Sequence, residues 1–126
     1  GGCVRGVTEA LRDYNPDTHV VAVEPSESAV LSGGETGIHK IEGVGAGFIV
    51  PLWKPDLIDE ITSVSTEDAM EMARRLAREE GMFAGTSTGG NVVAALRVAE
   101  RLGPDATVVT VMADSGLKYL STQLYD

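Results

Sequence analysis

Residues 107–120, TVVTVMADSGLKYL, constrain the fold of this chain more than any other stretch. Thr107 to Met112 is a β-branched run with no polar face, the pattern of a strand buried on both sides. It breaks at Asp114-Ser115-Gly116, where the sequence predicts a turn into a helix. Ser115 is therefore expected just past the carboxyl end of a central strand. In open α/β sheets that edge holds the ligand crevice, because the loops part there and the next helix offers free N–H groups. Asp114 and Ser115 are also good helix caps, so the same residues satisfy a purely structural reading.

The remainder of the chain agrees with an α/β fold built on a parallel sheet flanked by helices. Gly1-Gly2-Cys3 precedes a helix from about Val4 to Tyr14, with Val4, Val7 and Leu11 on one face and Asn15-Pro16-Asp17 as its stop. His19 to Glu24 reads as a short buried strand and Glu60 to Val64 as another. Ser65 and Asp68 form a capping box for a helix from Thr66 to Glu80, whose inner face carries Ala69, Ala73, Leu76 and Ala77. Its Arg and Glu residues read as a solvated face. A further helix runs from about Asn91 to Leu102, with Val92, Leu96, Ala99 and Leu102 as its buried stripe. Between Pro25 and Pro55 no clear period emerges, and a glycine-rich loop of that kind is usually functional or interfacial. His39 within it reads as a structural residue, and Phe48 and Trp53 as closing a core or a dimer contact.

Two glycine-rich helix starts carry the chemistry that the residues themselves suggest. Gly1-Gly2 would let an anion approach the backbone at a positive dipole end, or would simply form a tight entry turn. Gly85-Thr86-Ser87-Thr88-Gly89-Gly90 offers many donors and little bulk, suited to a carboxylate or phosphate, or to a capped turn. Composition narrows the field. A net charge of −9 excludes a basic surface for nucleic acid or anionic membrane. The single Cys3 excludes an internal disulfide and a cysteine-based metal site, and no metal site is expected. No apolar run approaches bilayer length and no signal peptide is read, so the expected location is cytoplasmic. The chain opens on Gly1-Gly2 without an initiator Met and is expected to be part of a longer protein.

Taken together, these stretches resemble the C-terminal part of the cysteine synthase (O-acetylserine sulfhydrylase) family of fold type II pyridoxal-phosphate enzymes. Gly1-Gly2-Cys3 resembles the end of the family's phosphate loop, GTGGT. VAVEPSESAVLSGG at 21–34 and HKIEGVGAGFIVP at 39–51 resemble two long family signatures. AREEGMFAGTSTGG at 77–90 resembles the small-residue loop beside the cofactor, usually GISSG, and ADSGLKYLST at 113–122 resembles PDSGERYLST. The order and spacing of these segments make the resemblance specific.

The resemblance implies that residues 1–126 are the C-terminal portion of a catalytic domain whose upstream part is absent. It assigns the phosphate of pyridoxal 5'-phosphate to the N–H groups of Gly1, Gly2 and Cys3, and the pyridine nitrogen to Ser115. Gly85, Thr86, Ser87, Thr88 and Gly89 would line the substrate side, and Gly45-Ala46-Gly47 would leave room at the cleft. A neutral hydroxyl on that nitrogen gives a weaker electron sink than a carboxylate would, which suits β-elimination followed by thiol addition. The implied reaction is β-replacement on an activated serine, such as O-acetylserine, with sulfide to give L-cysteine, in a homodimer. Cystathionine β-synthase and serine or threonine dehydratases share much of this pattern. A non-catalytic anion- or partner-binding domain of the same fold is the alternative outside enzymology. Cys3 stands where the family has Thr, Thr86 and Thr88 alter the small-residue loop, and Ala113 replaces Pro. Lys40, Lys54 and Lys118 do not sit in the family's Schiff-base motif, so no catalytic lysine is assigned and these residues alone are expected to be inactive.

Overall fold

Two parallel strands, each followed by a turn that changes the chain's direction, organise the computed structural model, which describes Gly1 to Asp126. Helix α1 (Gly2–Tyr14) leads to strand β1 (Val21–Pro25), and β2 (Glu60–Val64) leads to α2 (Thr66–Glu79) and α3 (Thr86–Leu102). Short 3₁₀ turns lie at Ser26–Ser28, Pro55–Leu57, Gly116–Tyr119 and Gln123–Tyr125. β1 and β2 pair in parallel, Val21 opposite Glu60 through Pro25 opposite Val64. Parallel neighbours need a long crossover, and residues 26–59 supply it as loop and 3₁₀ turns instead of an α-helix. The α/β class with parallel pairing is as the sequence predicts.

Local chemistry explains where the elements start. Ser65 accepts a hydrogen bond from the Asp68 N–H at 3.1 Å, the expected cap of α2, and Ser65→Ala should lower unfolding stability by about 1 kcal/mol, read by urea denaturation. On α2, Ala69, Ala73 and Leu76 are buried as expected and Ala77 is half-buried. Ala69 joins Ile41, Val64 and Ala94 in one apolar cluster, and Ala73 joins Tyr119 and Leu124 in a second. The second cluster is tied down by Arg74, whose guanidinium donates to the carbonyls of Leu124 at 2.6 Å and Gln123 at 2.8 Å. Arg74 thus departs from the solvated face expected of it, whereas Arg75 and Arg78 pair with Glu79 and Glu71 at the surface.

Several expectations are corrected. Thr107 to Met112 forms no strand and makes no backbone hydrogen bond to a neighbouring segment, and Val109 is 84% exposed. Among these 126 residues the sheet holds only β1 and β2, so a run patterned for two neighbours has neither. Asp114-Ser115-Gly116 opens a 3₁₀ turn, not an α-helix. α3 starts at Thr86 instead of Asn91, and its buried line is Gly90, Ala94 and Val98, while Leu96 and Leu102 are more than half exposed. This helix is apolar on more than one side, so periodicity could not choose the face; the small residues win because α2 approaches closely there. On α1, Val7 and Leu11 are exposed and Thr8 is the buried residue. Phe48 is 61% exposed and closes no core in this chain, whereas Trp53 is half-buried.

Candidate functional site

Backbone pairing builds the site. Phe83 to Gly85 runs antiparallel to Asp114 to Gly116: Gly85 N–H donates to the Asp114 carbonyl at 3.2 Å and Gly116 N–H to the Phe83 carbonyl at 3.0 Å, with Ala84 opposite Ser115. The start of α3 and the Ser115 turn are thereby joined edge to edge. The threonines of the Gly85-to-Gly90 segment reinforce the junction. Thr88 Oγ1 accepts from the Ala113 N–H at 3.1 Å and Thr86 Oγ1 accepts from the Glu42 N–H at 3.3 Å. Thr86, Ser87, Thr88, Gly89 and Gly90 are all buried, forming the first turns of a helix and not an open loop.

Ser115 itself is exposed. Its Oγ accepts from the Leu117 N–H at 3.3 Å, the cap that its sequence context suggests. A hydroxyl that only accepts within the fold keeps its O–H hydrogen for a partner outside it. Beside it stands a pair, Asp114 and Tyr119, of which the sequence offers only Asp114, as a helix cap. The Tyr119 phenol, 2% exposed, donates to Asp114 Oδ2 at 2.7 Å. Burial first, and then the Asp114 carboxylate, hold that phenol well above its usual range. Asp114 Oδ1 is buried without a partner. A tyrosine five positions after an aspartate across a turn was the available signal, since a buried phenol needs an acceptor.

At the other helix start, Gly1 caps α1 without a side-chain bond, and no acidic residue lies in the first turn. A Cβ at Gly1 would come within 2.8 Å of Val50 Cγ2 and 3.2 Å of the Trp53 backbone N, so only glycine fits this approach. Cys3 is free and exposed. The structure brings Ala84 and Gly85 against Ser115 and Asp114; the neighbours of Gly1 and Gly2 lie instead in residues 50–53. Gly45 leaves no open room: its φ is +62° and a Cβ there would meet His39 Nε2 at 2.6 Å. His39 is structural, with Nε2 bonded to the Gly45 carbonyl and Nδ1 accepting from the Ile41 N–H. That pattern fixes its proton on Nε2. No group of His, Cys, Asp and Glu is placed to hold a metal ion, and no helix is long and apolar enough to cross a membrane.

The family model for pyridoxal-phosphate dependent enzymes matches residues 1–114. The chain belongs to that family. It is 48% identical over 125 residues to a cysteine synthase of Staphylococcus aureus, covering 99% of this chain and 40% of the relative. Among solved structures, an O-acetylserine sulfhydrylase isoform of Entamoeba histolytica superposes with a TM-score of 0.93 at 43% identity, over 98% of this chain and 37% of that one. An O-acetylserine dependent cystathionine β-synthase of Helicobacter pylori gives 0.93 at 38% identity, over 99% and 40%. The chain thus spans about 40% of the length of the curated relatives it matches. As a member of a pyridoxal-phosphate dependent family, it carries features that fit the cofactor: an uncapped glycine helix start that a Cβ would obstruct, and an exposed hydroxyl with a hydrogen to give.

Proposed function

We propose that this chain is the C-terminal portion of a pyridoxal-phosphate dependent enzyme that replaces the β-substituent of an activated serine, such as O-acetylserine, with sulfide to make L-cysteine. The observation that carries the reading is Ser115: an exposed hydroxyl, joined through the backbone to the start of α3, whose oxygen accepts internally and whose hydrogen is free. When bound, pyridoxal phosphate supplies the electron sink that loosens substituents on an amino acid's β-carbon. The N–H groups of Gly1, Gly2 and Cys3 bind its phosphate at the positive end of α1, with no side chain competing as a cap. The Ser115 hydroxyl would hold the pyridine nitrogen through its free hydrogen, and as a neutral donor it would make the ring a weaker electron sink than a carboxylate would. Gly85, Thr86, Ser87 and Thr88 would bound the substrate side, where the Thr86 and Thr88 hydroxyls fix the neighbouring backbone at Glu42 and Ala113, while Gly89 seats this turn on α2. The likeness to the Helicobacter pylori structure supports a second reading on the same chemistry, in which a larger thiol takes the place of sulfide.

Ser115 variants of the full-length protein test the site. Ser115→Ala should weaken cofactor binding by the worth of one hydrogen bond, about 0.5–1.5 kcal/mol, in a titration followed by cofactor absorbance. Ser115→Asp keeps a capping oxygen for Leu117 and should fold normally, yet a carboxylate there holds the ring nitrogen protonated. The visible spectrum should shift and cysteine formation should slow. Wild-type spectra, affinity and rates in both variants would reduce Ser115 to a cap and remove it from the site.

A further inference from the structure

The Asp114–Tyr119 pair is more than the function above requires of it. The Tyr119 ring packs with Ala73 of α2 and Leu124 of the C-terminal turn, and its phenol reaches Asp114 Oδ2 at 2.7 Å. Asp114 in turn accepts the Gly85 N–H on its backbone carbonyl, and its unpartnered Oδ1 lies against the Gly85 Cα: a Cβ there would fall 2.1 Å from Oδ1 and 2.4 Å from Tyr119 Cε2. The Lys118 ammonium bridges Glu42 Oε2 at 3.1 Å and Asp114 Oδ2 at 3.7 Å from the solvent side. A buried phenol beside a carboxylate oxygen left without a partner is an expensive way to fill space, since the buried phenol and that oxygen both give up water. Phe and an apolar residue would pack as well at lower cost. What the polar pair adds is direction, because a short phenol–carboxylate bond fixes the angle at which the Asp114-Ser115-Gly116 turn leaves the core.

We infer that Tyr119 and Asp114 are positioning residues: the buried ring, anchored on α2, holds the Asp114 carboxylate, and that carboxylate sets the Ser115 hydroxyl against the start of α3. The inference rests on the reading of Ser115 as a cofactor contact. Neither residue is placed on the reacting atoms.

The test uses the full-length protein with Tyr119→Phe, Asp114→Asn and Asp114→Ala. Phe keeps the ring and loses the bond; Asn keeps an acceptor for the phenol; Ala removes it. In the cofactor-free protein, amide exchange at Gly85 and Gly116 should quicken ~3- to 10-fold in Tyr119→Phe and Asp114→Ala, and return close to wild type in Asp114→Asn. Pyridoxal phosphate affinity, titrated by absorbance, should weaken by ~3- to 10-fold in the same two variants and recover in Asp114→Asn. A lowered melting temperature with wild-type exchange at both glycines and wild-type affinity would overturn the inference, leaving the pair as core packing. If Tyr119→Phe does not fold, Asp114→Ala against Asp114→Asn carries the same comparison. Quickened exchange with unchanged affinity, in these variants and in Ser115→Ala alike, supports the hold on the two segments and overturns the Ser115 cofactor reading alone.

Discussion

Gly89→Ala is expected to destabilise the protein by about 2 kcal/mol or more, as overpacking at a backbone contact does. A Cβ at Gly89 would fall 1.9 Å from the Ala69 carbonyl oxygen and 2.9 Å from the Ala73 amide nitrogen. Both are backbone atoms of α2, so no rotamer change relieves the clash and the helices must separate. That contact is the most extensive between elements of the fold, and separation loosens the cluster around Ala69 and Ala94 as well. The intrinsic helix preference of Ala over Gly, about 1 kcal/mol, offsets only part of this. Gly90→Ala is the control. Its Cβ would meet the Ala69 Cβ at 3.6 Å and Ile41 Cγ2 at 3.9 Å, ordinary contacts, and the helix preference should then dominate. Urea denaturation should show Gly89→Ala well below wild type and Gly90→Ala at or above it. Equal stability of the two variants would show that α2 and α3 do not meet through Gly89.

The second large effect is expected at Glu24, on β1. Its carboxylate is 2% exposed and accepts the Leu31 N–H at 2.8 Å, the Ser32 N–H at 3.1 Å and the Ser32 hydroxyl. Three donors converge on one carboxyl group, which organises the turn that follows the strand. Glu24→Ala removes the acceptor and strands the half-buried Leu31 amide, at about 1–3 kcal/mol, while the exposed Ser32 amide turns to water. A net loss of about 1–3 kcal/mol is therefore expected on unfolding. Glu24→Gln should fall between, because its amide group turns a donor toward donors. A loss under half a kilocalorie for Glu24→Ala would show the 26–34 turn to be held by other contacts.

Glu24 also shows what the sequence made legible and what it did not. A glutamate ending an apolar strand is visible, but the donors it gathers sit seven and eight positions later in a segment without period, so the convergence exists only in three dimensions. The α2 cap and inner face were readable because both are local, set by Ser65, Asp68 and a 3.6-residue spacing. The buried side of α3 was not, since its selection depends on how closely α2 approaches. At the site, residue types led to Ser115 and to the Gly85 segment separately; that a two-residue backbone bridge joins them is a tertiary fact. The Asp114 to Tyr119 bond spans a turn whose geometry no periodicity encodes.

The unpaired run of Thr107 to Met112 bears on how this polypeptide behaves before any ligand arrives. A β-branched, uncharged stretch with open N–H and C=O groups is a template that any passing extended chain can extend. No Lys, Pro or bulge interrupts it, the devices by which proteins blunt such edges. Its nearest restraints are an Asn91 amide on the Val111 carbonyl and a Thr88 hydroxyl on the Ala113 N–H, both at one end. Handled as an isolated piece, these residues carry their aggregation hazard in the same stretch that leads to the serine.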